Sequence, residues 1–394
     1  MKFNNKTIPS NHAYYKDKVV KTYNFEKKFE KNFQSEIQNI KKFKSDYCIK
    51  VWNITKNSYT MERMNFAMGN GQGLNEKNVR RILFSISLNE LIEMLCQIGN
   101  DLIKFGITHR DLNPGNLLWS EKQRLLKLTD FFWSKLLGEC LFIPDYANPV
   151  YGQNDTLALN KIKSDILKIF PKAEIQSAIN EFQKVGSGPY QDGSSSSPGK
   201  AYHIVDIPDF RDIPYVKDTC LKEYKLIKDI LLPIGPESFI DIGAANGYFS
   251  FNLLRDFDIK YARAYERDIE PLNFLEKIKS IYCLDELTLG NAVDESTIIE
   301  KNDVTIFLNS HMWVYKQLGK DKTLQVLKNV IKNSQYMFFQ TAGAYGKGRY
   351  KVEEYKSKED VKDMLLQAGA KIVKFIDRTI GVHNAPRDMF MVTK

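Results

Sequence analysis

The sequence has no glycine before Gly69. Glycine lets backbone pass close to another group or take a positive φ, so a glycine-rich loop is excluded ahead of that position. Cysteine is sparse: Cys48, Cys96, Cys140, Cys220 and Cys283 are odd in number and scattered. That pattern excludes a disulfide framework and a zinc cluster, and it fits a reducing cytosol. No apolar run approaches the roughly 20 residues a membrane span needs. The opening MKFNNKTIPSNHAYYKDK lacks the apolar segment of a secretory signal, and a cytoplasmic location is the expectation. Residues 1–60 have no arginine and few acids, thirteen lysines standing against five Asp and Glu. A basic face of that kind can attract nucleotides, anionic lipid headgroups or polyanions. Lysine, asparagine and isoleucine are abundant throughout, so the plainer reading of most of these lysines is a solvated surface.

What the chain does have is core-forming residues. It is 43% hydrophobic and 12% aromatic, a globular rather than a disordered composition. At 394 residues it is too long for one ordinary core, which predicts two domains. The low-complexity stretch VGSGPYQDGSSSSPGK, Val185 to Lys200, marks the division. Gly, Ser and Pro in such density do not build a packed element, so it reads as a flexible linker. The expected organisation is a first domain over 1–184, a linker over 185–200 and a second domain over 201–394.

In the first half KVVKTY, YCIKVWNI and NSYTMERM are strand-like. Between the first two, Phe25, Phe29, Phe33, Ile37 and Ile40 fall at helical spacing. The helix expected over SLNELIEMLCQIGNDLIKFG has a capping box in Ser87 and Glu90. Leu91, Leu95, Ile98 and Leu102 form its apolar face, and Gly106 is its stop. It leads into THRDLNPGNLLWSEKQRLLKLTDFFW, which groups His109, Arg110 and Asp111, then sets Asn116 and Asp130 further on. Phosphoryl transfer needs a carboxylate to orient the attacking hydroxyl, oxygen ligands for Mg²⁺ and a cation on the phosphates. Asp111 is the candidate catalytic base, and Asn116 and Asp130 are the candidate metal ligands.

The set Asp111, Asn116 and Asp130 resembles the catalytic loop and metal-binding Asp of the eukaryotic-like protein kinase superfamily. The resemblance implies an α+β bilobal fold that uses ATP and Mg²⁺. It implies Lys21 in Val19-Val20-Lys21 as the phosphate-binding lysine and Glu36 as its ion-pair partner. It also makes Thr60 to Met64, with Glu62 and Met64, the hinge that holds adenine. Taken singly, Lys21 reads as a surface lysine and Glu36 as a solvated helix residue; five features in order argue otherwise. The departures are the missing glycine loop, Phe131-Phe132 after Asp130, no Ala-Pro-Glu, and one or two helices before the linker. So short a lobe resembles the small-molecule and sugar kinases of the superfamily. The missing phosphate loop keeps a pseudokinase as the alternative.

The second half alternates strand-like runs (SFIDIG, YARAYE, LTLGNAV, VTIFLN, YMFFQTA, KIVKFID, MFMVT) with helical ones such as DKTLQVLKNVIKN and SKEDVKDMLLQAG. Such alternation predicts a parallel, doubly wound sheet. ESFIDIGAANGYFSFNLL is an apolar strand, a turn of small residues and a helix, and small residues let backbone pass close to a cofactor. A dinucleotide site also uses such a turn and a later acid, but with Gly-x-Gly-x-x-Gly. Asp241-x-Gly243-x-Ala245-x-Gly247 instead resembles motif I of the class I S-adenosylmethionine-dependent methyltransferases. That resemblance implies a Rossmann-like α/β fold with a seven-stranded sheet ending in a hairpin-like pair. It gives Glu266, with Asp268 as the alternative, to the ribose hydroxyls, and Asn291 and Ala292 to the adenine. His311, after the fourth strand, is the candidate general base; a packed histidine is the equal alternative. Lys347, Arg349 and Arg387 are candidates for holding an anionic acceptor, against an ordinary solvated role.

AYHIVDIPDFRDIPYVKDTCLKEYKLIKDIL, with Tyr202-His203 before a basic helix, resembles the lead-in of a group of methyltransferases. That group includes the bifunctional kinase/methyltransferases that terminate O-antigen polysaccharide chains. There the kinase phosphorylates a terminal sugar and the methyltransferase methylates that phosphate; here the domain order is reversed. The resemblance implies a glycan or small-molecule acceptor, and the basic first lobe can hold the chain in peripheral contact with an anionic inner membrane leaflet. The alternatives are an RNA-modifying methyltransferase with a nucleotide-binding pseudokinase, and an antibiotic- or metabolite-modifying pair. DNA is not expected as a partner.

Overall fold

The computed structural model describes residues 10–15, 17–23, 30–136, 150–152, 154–185, 201–217, 219–341, 352, 354–380 and 386–394. By its internal contacts the chain divides into two compact units, residues 1–171 and residues 172–394.

The first unit opens with β1 (Ser10–Tyr14) and β2 (Lys18–Tyr23), an antiparallel pair. Helix α1 (Glu30–Lys42), β3 (Val51–Trp52) and β4 (Ser58–Glu62) follow, and the sheet order is β1-β2-β4-β3. Strand alternation sends Val19, Lys21 and Tyr23 to the same buried face of β2. On α1, Phe33, Glu36, Ile37 and Ile40 are buried together, as spacings of three and four residues require. Phe25 and Phe29 lie outside the described residues. The same periodicities that build the core therefore turn Lys21 and Glu36 inward.

Three two-residue strands, β5 (Phe66–Ala67), β6 (Gly69–Asn70) and β7 (Gly73–Leu74), lead to α2 (Glu76–Ser85) and α3 (Leu88–Lys104). The Ser87–Glu90 capping box is present, and Leu91, Leu95, Ile98 and Leu102 are buried. Gly106 ends this segment with φ 63°. Then come β8 (Ile107–Thr108), β9 (Leu117–Ser120), β10 (Leu125–Leu128), β11 (Lys135–Leu136) and α4 (Asp155–Ile169). β9 and β10 form a hairpin, and β11 pairs with β8. That pairing brings the segment after β8 and the turn after β10 to one place.

The second unit begins with α5 (Lys172–Val185). The sequence placed this helix with the first half, but its Phe182 packs on Phe274 with ring centroids 4.5 Å apart. Residues 186–200 of the expected linker lie outside the described residues. Next are β12 (Ala201–His203), β13 (Tyr215–Lys217) and α6 (Thr219–Leu231). The main sheet and its helices follow: β14 (Ser238–Ile242), α7 (Tyr248–Asp256), β15 (Tyr261–Tyr265), α8 (Ile269–Tyr282) and β16 (Leu287–Gly290). They continue with β17 (Asn302–Leu308), α9 (His311–Leu318), α10 (Lys320–Asn333) and β18 (Ser334–Gln340). The last elements are α11 (Lys358–Gln367), β19 (Ile372–Ile380) and β20 (Pro386–Thr393). The seven strands lie in the order β16-β15-β14-β17-β18-β20-β19. β14 to β18 are mutually parallel, and β20 runs antiparallel to both its neighbours. The seven-stranded sheet with a terminal hairpin-like pair is thus as expected. Strand order reverses between β14 and β17, which opens a crevice at their carboxyl ends where such sheets take ligands.

No single helix among the described residues is long and apolar enough to cross a membrane.

Candidate active sites

In the first unit Lys21 is 4% exposed. Its Nζ donates to Asp130 Oδ1 at 3.0 Å and lies 3.8 Å from Glu36 Oε1. Glu36 accepts hydrogen bonds from Tyr23 at 2.6 Å and Tyr59 at 3.0 Å. Burial pushes the Glu36 carboxyl up to about 7, against the opposing pull of Lys21 and the two tyrosines. Burial also works against the charges of Lys21 and Asp130. Their mutual attraction outweighs it, raising Lys21 and lowering Asp130 from their ordinary values.

Asp130 adopts a left-handed conformation, φ 62° and ψ 58°. The two aromatic residues that follow it are packed into the unit. Phe131 meets His109 edge-on at 4.9 Å and Phe132 stacks on Tyr23 at 5.2 Å. The catalytic loop is tied to the same turn by its backbone. Thr129 N–H donates to the Asn116 carbonyl at 3.0 Å, and His109 Nε2 lies 2.9 Å from the Thr129 carbonyl. Asn116 Nδ2 donates to the Asp111 carbonyl at 2.8 Å, and Asn113 Nδ2 to Asp111 Oδ1 at 3.1 Å. Asp111, Asn116, Asp130, Lys21 and Glu36 therefore belong to one connected site.

Sequence reasoning missed Asp155. Its carboxylate accepts the backbone N–H groups of His109 at 2.6 Å and Arg110 at 2.9 Å, fixing the loop while Arg110 takes φ 68°. The available signal was the helix start at Asn154-Asp155, which says nothing of so distant a partner. Glu62 ends β4, and its carboxylate is held by Lys50 N–H at 2.9 Å and Gln123 Nε2 at 3.3 Å. The Glu62 backbone N–H donates to the Lys50 carbonyl at 3.1 Å, and Met64 is half-buried two residues on.

The carboxylate of Asp130 and the amide oxygen of Asn116 are hard donors of the kind Mg²⁺ takes. Among the described residues no three His, Cys, Asp or Glu side chains gather to hold a metal by themselves. The donor set thus fits a cation held jointly by one or two side chains and nucleotide phosphates.

In the second unit β14 delivers Gly243, Ala245 and Gly247, with φ of 81°, 50° and 84°. A Cβ at Gly243 would come 2.5 Å from Ser310 Cβ, and one at Gly247 equally close to Leu275 and Phe251. Ala245 keeps its left-handed turn with a hydrogen bond: its N–H donates to Glu266 Oε2 at 2.7 Å. Glu266 Oε1 accepts the Asp268 N–H at 2.9 Å. Asp268 stands at the N-cap position of α8 without a side-chain cap hydrogen bond and pairs with Arg267 at 3.1 Å, so the acid that holds the turn is Glu266. Asp241 is buried and accepts a 2.6 Å hydrogen bond from Ser250. Burial pushes it up to about 7, with Glu266 adding to the rise. Asn291 and Ala292 directly follow β16, whose last residue, Gly290, accepts the Glu266 N–H at 3.0 Å.

A second residue missed from sequence is Asn246. It exchanges hydrogen bonds with the backbone of His203, at 3.1 and 3.0 Å, docking β12 on the turn.

His311 does not stand where a general base would. It is 0% exposed, stacked on Tyr355 and edge-on to Phe339 in the core. Burial pushes its pKa down to about 3. A base must reach its proton, and this ring is walled in by aromatic residues, so the packed alternative is the one found. Lys347 and Arg349 lie outside the described residues; Arg387 is 4% exposed, not solvated.

Residues 8–150 match the protein kinase domain family. No curated protein matches the chain. Among solved structures it is similar to the bifunctional kinase-methyltransferase WbdD, at TM-score 0.42 and 16% identity over 56% of this chain and 46% of that one. It is similar to EvdMO1 at TM-score 0.37 and 15% identity, over 57% of this chain and 47% of that one. The methyltransferase domain of bacterial CtHen1-CN aligns at TM-score 0.34 and 15% identity, over 45% of this chain and all of that one. The chain thus spans about half the length of the first two.

Proposed function

We propose that this chain, a protein-kinase-like domain followed by a methyltransferase-like fold, phosphorylates a hydroxyl with ATP and methylates the product with S-adenosylmethionine. The observation that carries the reading is the occurrence, in one chain, of the Lys21–Glu36–Asp130–Asp111–Asn116 site and the Gly243–Glu266 turn. In the first step Asp111 orients the acceptor hydroxyl and takes its proton. Lys21, braced by Glu36, places positive charge on the phosphates as the acceptor oxygen bonds to the γ-phosphorus and the bond to the departing ADP oxygen breaks; Asn116 and Asp130 would hold Mg²⁺, which would supply further positive charge there. In the second step a phosphate oxygen is already anionic near neutral pH and needs no general base, consistent with a buried His311. Its O–C bond forms as the sulfonium S–C bond breaks, and position and orientation supply most of the acceleration. One polypeptide raises the effective concentration of the phosphorylated intermediate at the second site.

The lead-in over residues 201–231, by its resemblance, makes the terminal sugar of a surface polysaccharide the first acceptor to try. Contact with an anionic inner leaflet through the basic residues near the start accords with such an acceptor. The test supplies the whole protein with methyl-labelled S-adenosylmethionine and a membrane-glycan extract, with and without ATP-Mg²⁺, alongside Asp111→Ala. Methyl incorporation that requires ATP and disappears in Asp111→Ala is the expected result. Incorporation indifferent to both overturns the sequential reading and turns attention to RNA.

A further inference from the structure

A connected group of buried polar side chains runs through the second unit. It begins beside the donor turn, where Ser310 Oγ donates to the Ile242 carbonyl at 2.7 Å. The neighbouring Asn309, at φ 59°, donates through Nδ2 to Gln340 Oε1 at 2.7 Å. Gln340 Nε2 donates to Thr379 Oγ1 at 3.1 Å, and that hydroxyl donates to Glu223 Oε1 of α6 at 3.1 Å. Thr379 stands directly across from Arg387 in the β19–β20 ladder, and opposed residues of an antiparallel pair share a face of the sheet.

Glu223 is 0% exposed and Arg387 4% exposed. Glu223 Oε2, Arg387 Nε and Nη1, Thr341 Oγ1 and Asn309 Oδ1 are all buried without a hydrogen-bond partner among the described residues. The unmet atoms of Glu223 and Arg387 do not satisfy each other. A buried charge with donors or acceptors unmet is strongly disfavoured, and such groups in folded proteins are rare enough to require a reason. Asn309 and Thr341 directly follow β17 and β18, Arg387 lies at the start of β20, and Glu223 of α6 is tied through Thr379 to the end of β19, all on the side of the sheet on which ligands bind.

We propose that Arg387 and Glu223 form the acceptor subsite of the methyltransferase-like unit. The guanidinium fork takes a phosphate monoester, and the carboxylate accepts a hydrogen bond from a hydroxyl beside it, so the acceptor is a phosphorylated sugar or polyol. Arg387 suits the task because its planar donors meet two phosphate oxygens at once. The Glu223–Thr379–Gln340–Asn309 chain sets the carboxylate in register with the donor turn at Gly243. This inference rests on the reading that the unit methylates a phosphorylated product.

The test is calorimetric titration of the full chain with inorganic phosphate, glucose 6-phosphate and glucose, with S-adenosylhomocysteine as a separate measure of the donor site. Glucose 6-phosphate is expected to bind more tightly than phosphate, and glucose more weakly than either. Arg387→Gln is expected to weaken both phosphates by about tenfold or more, with S-adenosylhomocysteine affinity and melting temperature held or improved. Glu223→Gln is expected to bring glucose 6-phosphate down toward inorganic phosphate. Phosphate binding that survives Arg387→Gln, or is absent from the unaltered protein, overturns the proposal, as does a lowered melting temperature with unchanged phosphate affinity. Should Arg387→Gln fail to bind S-adenosylhomocysteine, Arg387→Lys carries the test. It keeps the charge without the fork, and unchanged affinity for both phosphates overturns the proposal. None of these titrations uses ATP or Asp111. Arg387-dependent phosphate binding together with ATP-indifferent methylation therefore removes the two-step reading alone, and the reverse pattern removes the subsite alone.

Discussion

Two buried carboxyls, one in each unit, are held up to about 7 by their surroundings: Glu36 and Asp241. For Asp241 burial is the main cause, and Ser250 offsets only part of it. A carboxyl whose folded pKa exceeds its unfolded value favours the folded state at low pH. That contribution is complete below the unfolded pKa and fades as pH rises through the folded one. The protein is therefore expected to lose stability through Asp241 as pH climbs from the ordinary Asp range to about 7. Asp241→Asn removes the titration. Relative to the unaltered protein it should gain about 3 kcal/mol between roughly pH 5 and pH 8, read by denaturant melts at both values. Equal pH dependence in the two proteins would contradict the assignment. At this scale the sequence was informative where residue type and spacing pointed to one place in the fold, as at Asp111, Asn116 and Asp130, whose segments are joined by hydrogen bonds. It was silent where burial decides the role. His311 follows a strand end, as a base would, but only the packed structure shows Tyr355 and Phe339 closing over it.

Among the elements, α4 holds the catalytic loop, though the two are far apart in the chain. Asp155, its first residue, takes two backbone N–H groups of His109 and Arg110. Asp155→Ala leaves both donors unmet and lets Arg110 leave its left-handed conformation. The expected outcome is a fall of about tenfold or more in kcat for ATP turnover, with a smaller change in KM for ATP. A variant that loses ATP binding and kcat in proportion would show that α4 supports the whole unit and not the loop. Helix α3 was legible because its caps and apolar face are local, and the seven strands because their apolar runs are. Contacts that join distant segments were not. Nothing in the composition of Lys172–Val185 tells that Phe182 packs on Phe274 of the second unit. The two hydrogen bonds of Asn246 to His203 are hidden for the same reason.

At the scale of the whole molecule, the proposed function is two chemistries acting in series on one acceptor. The kinase-like site is assembled around Lys21 without a preceding glycine, and the donor turn is built around Gly243 and Gly247. Each unit is compact by its own internal contacts. The most direct test is mass spectrometry of the glycan acceptors after incubation of the full chain with both ATP-Mg²⁺ and S-adenosylmethionine. The account predicts single molecules carrying one added phosphoryl group and one added methyl group, with the phosphorylated form alone when S-adenosylmethionine is withheld. Methyl groups on molecules that carry no added phosphate would contradict it.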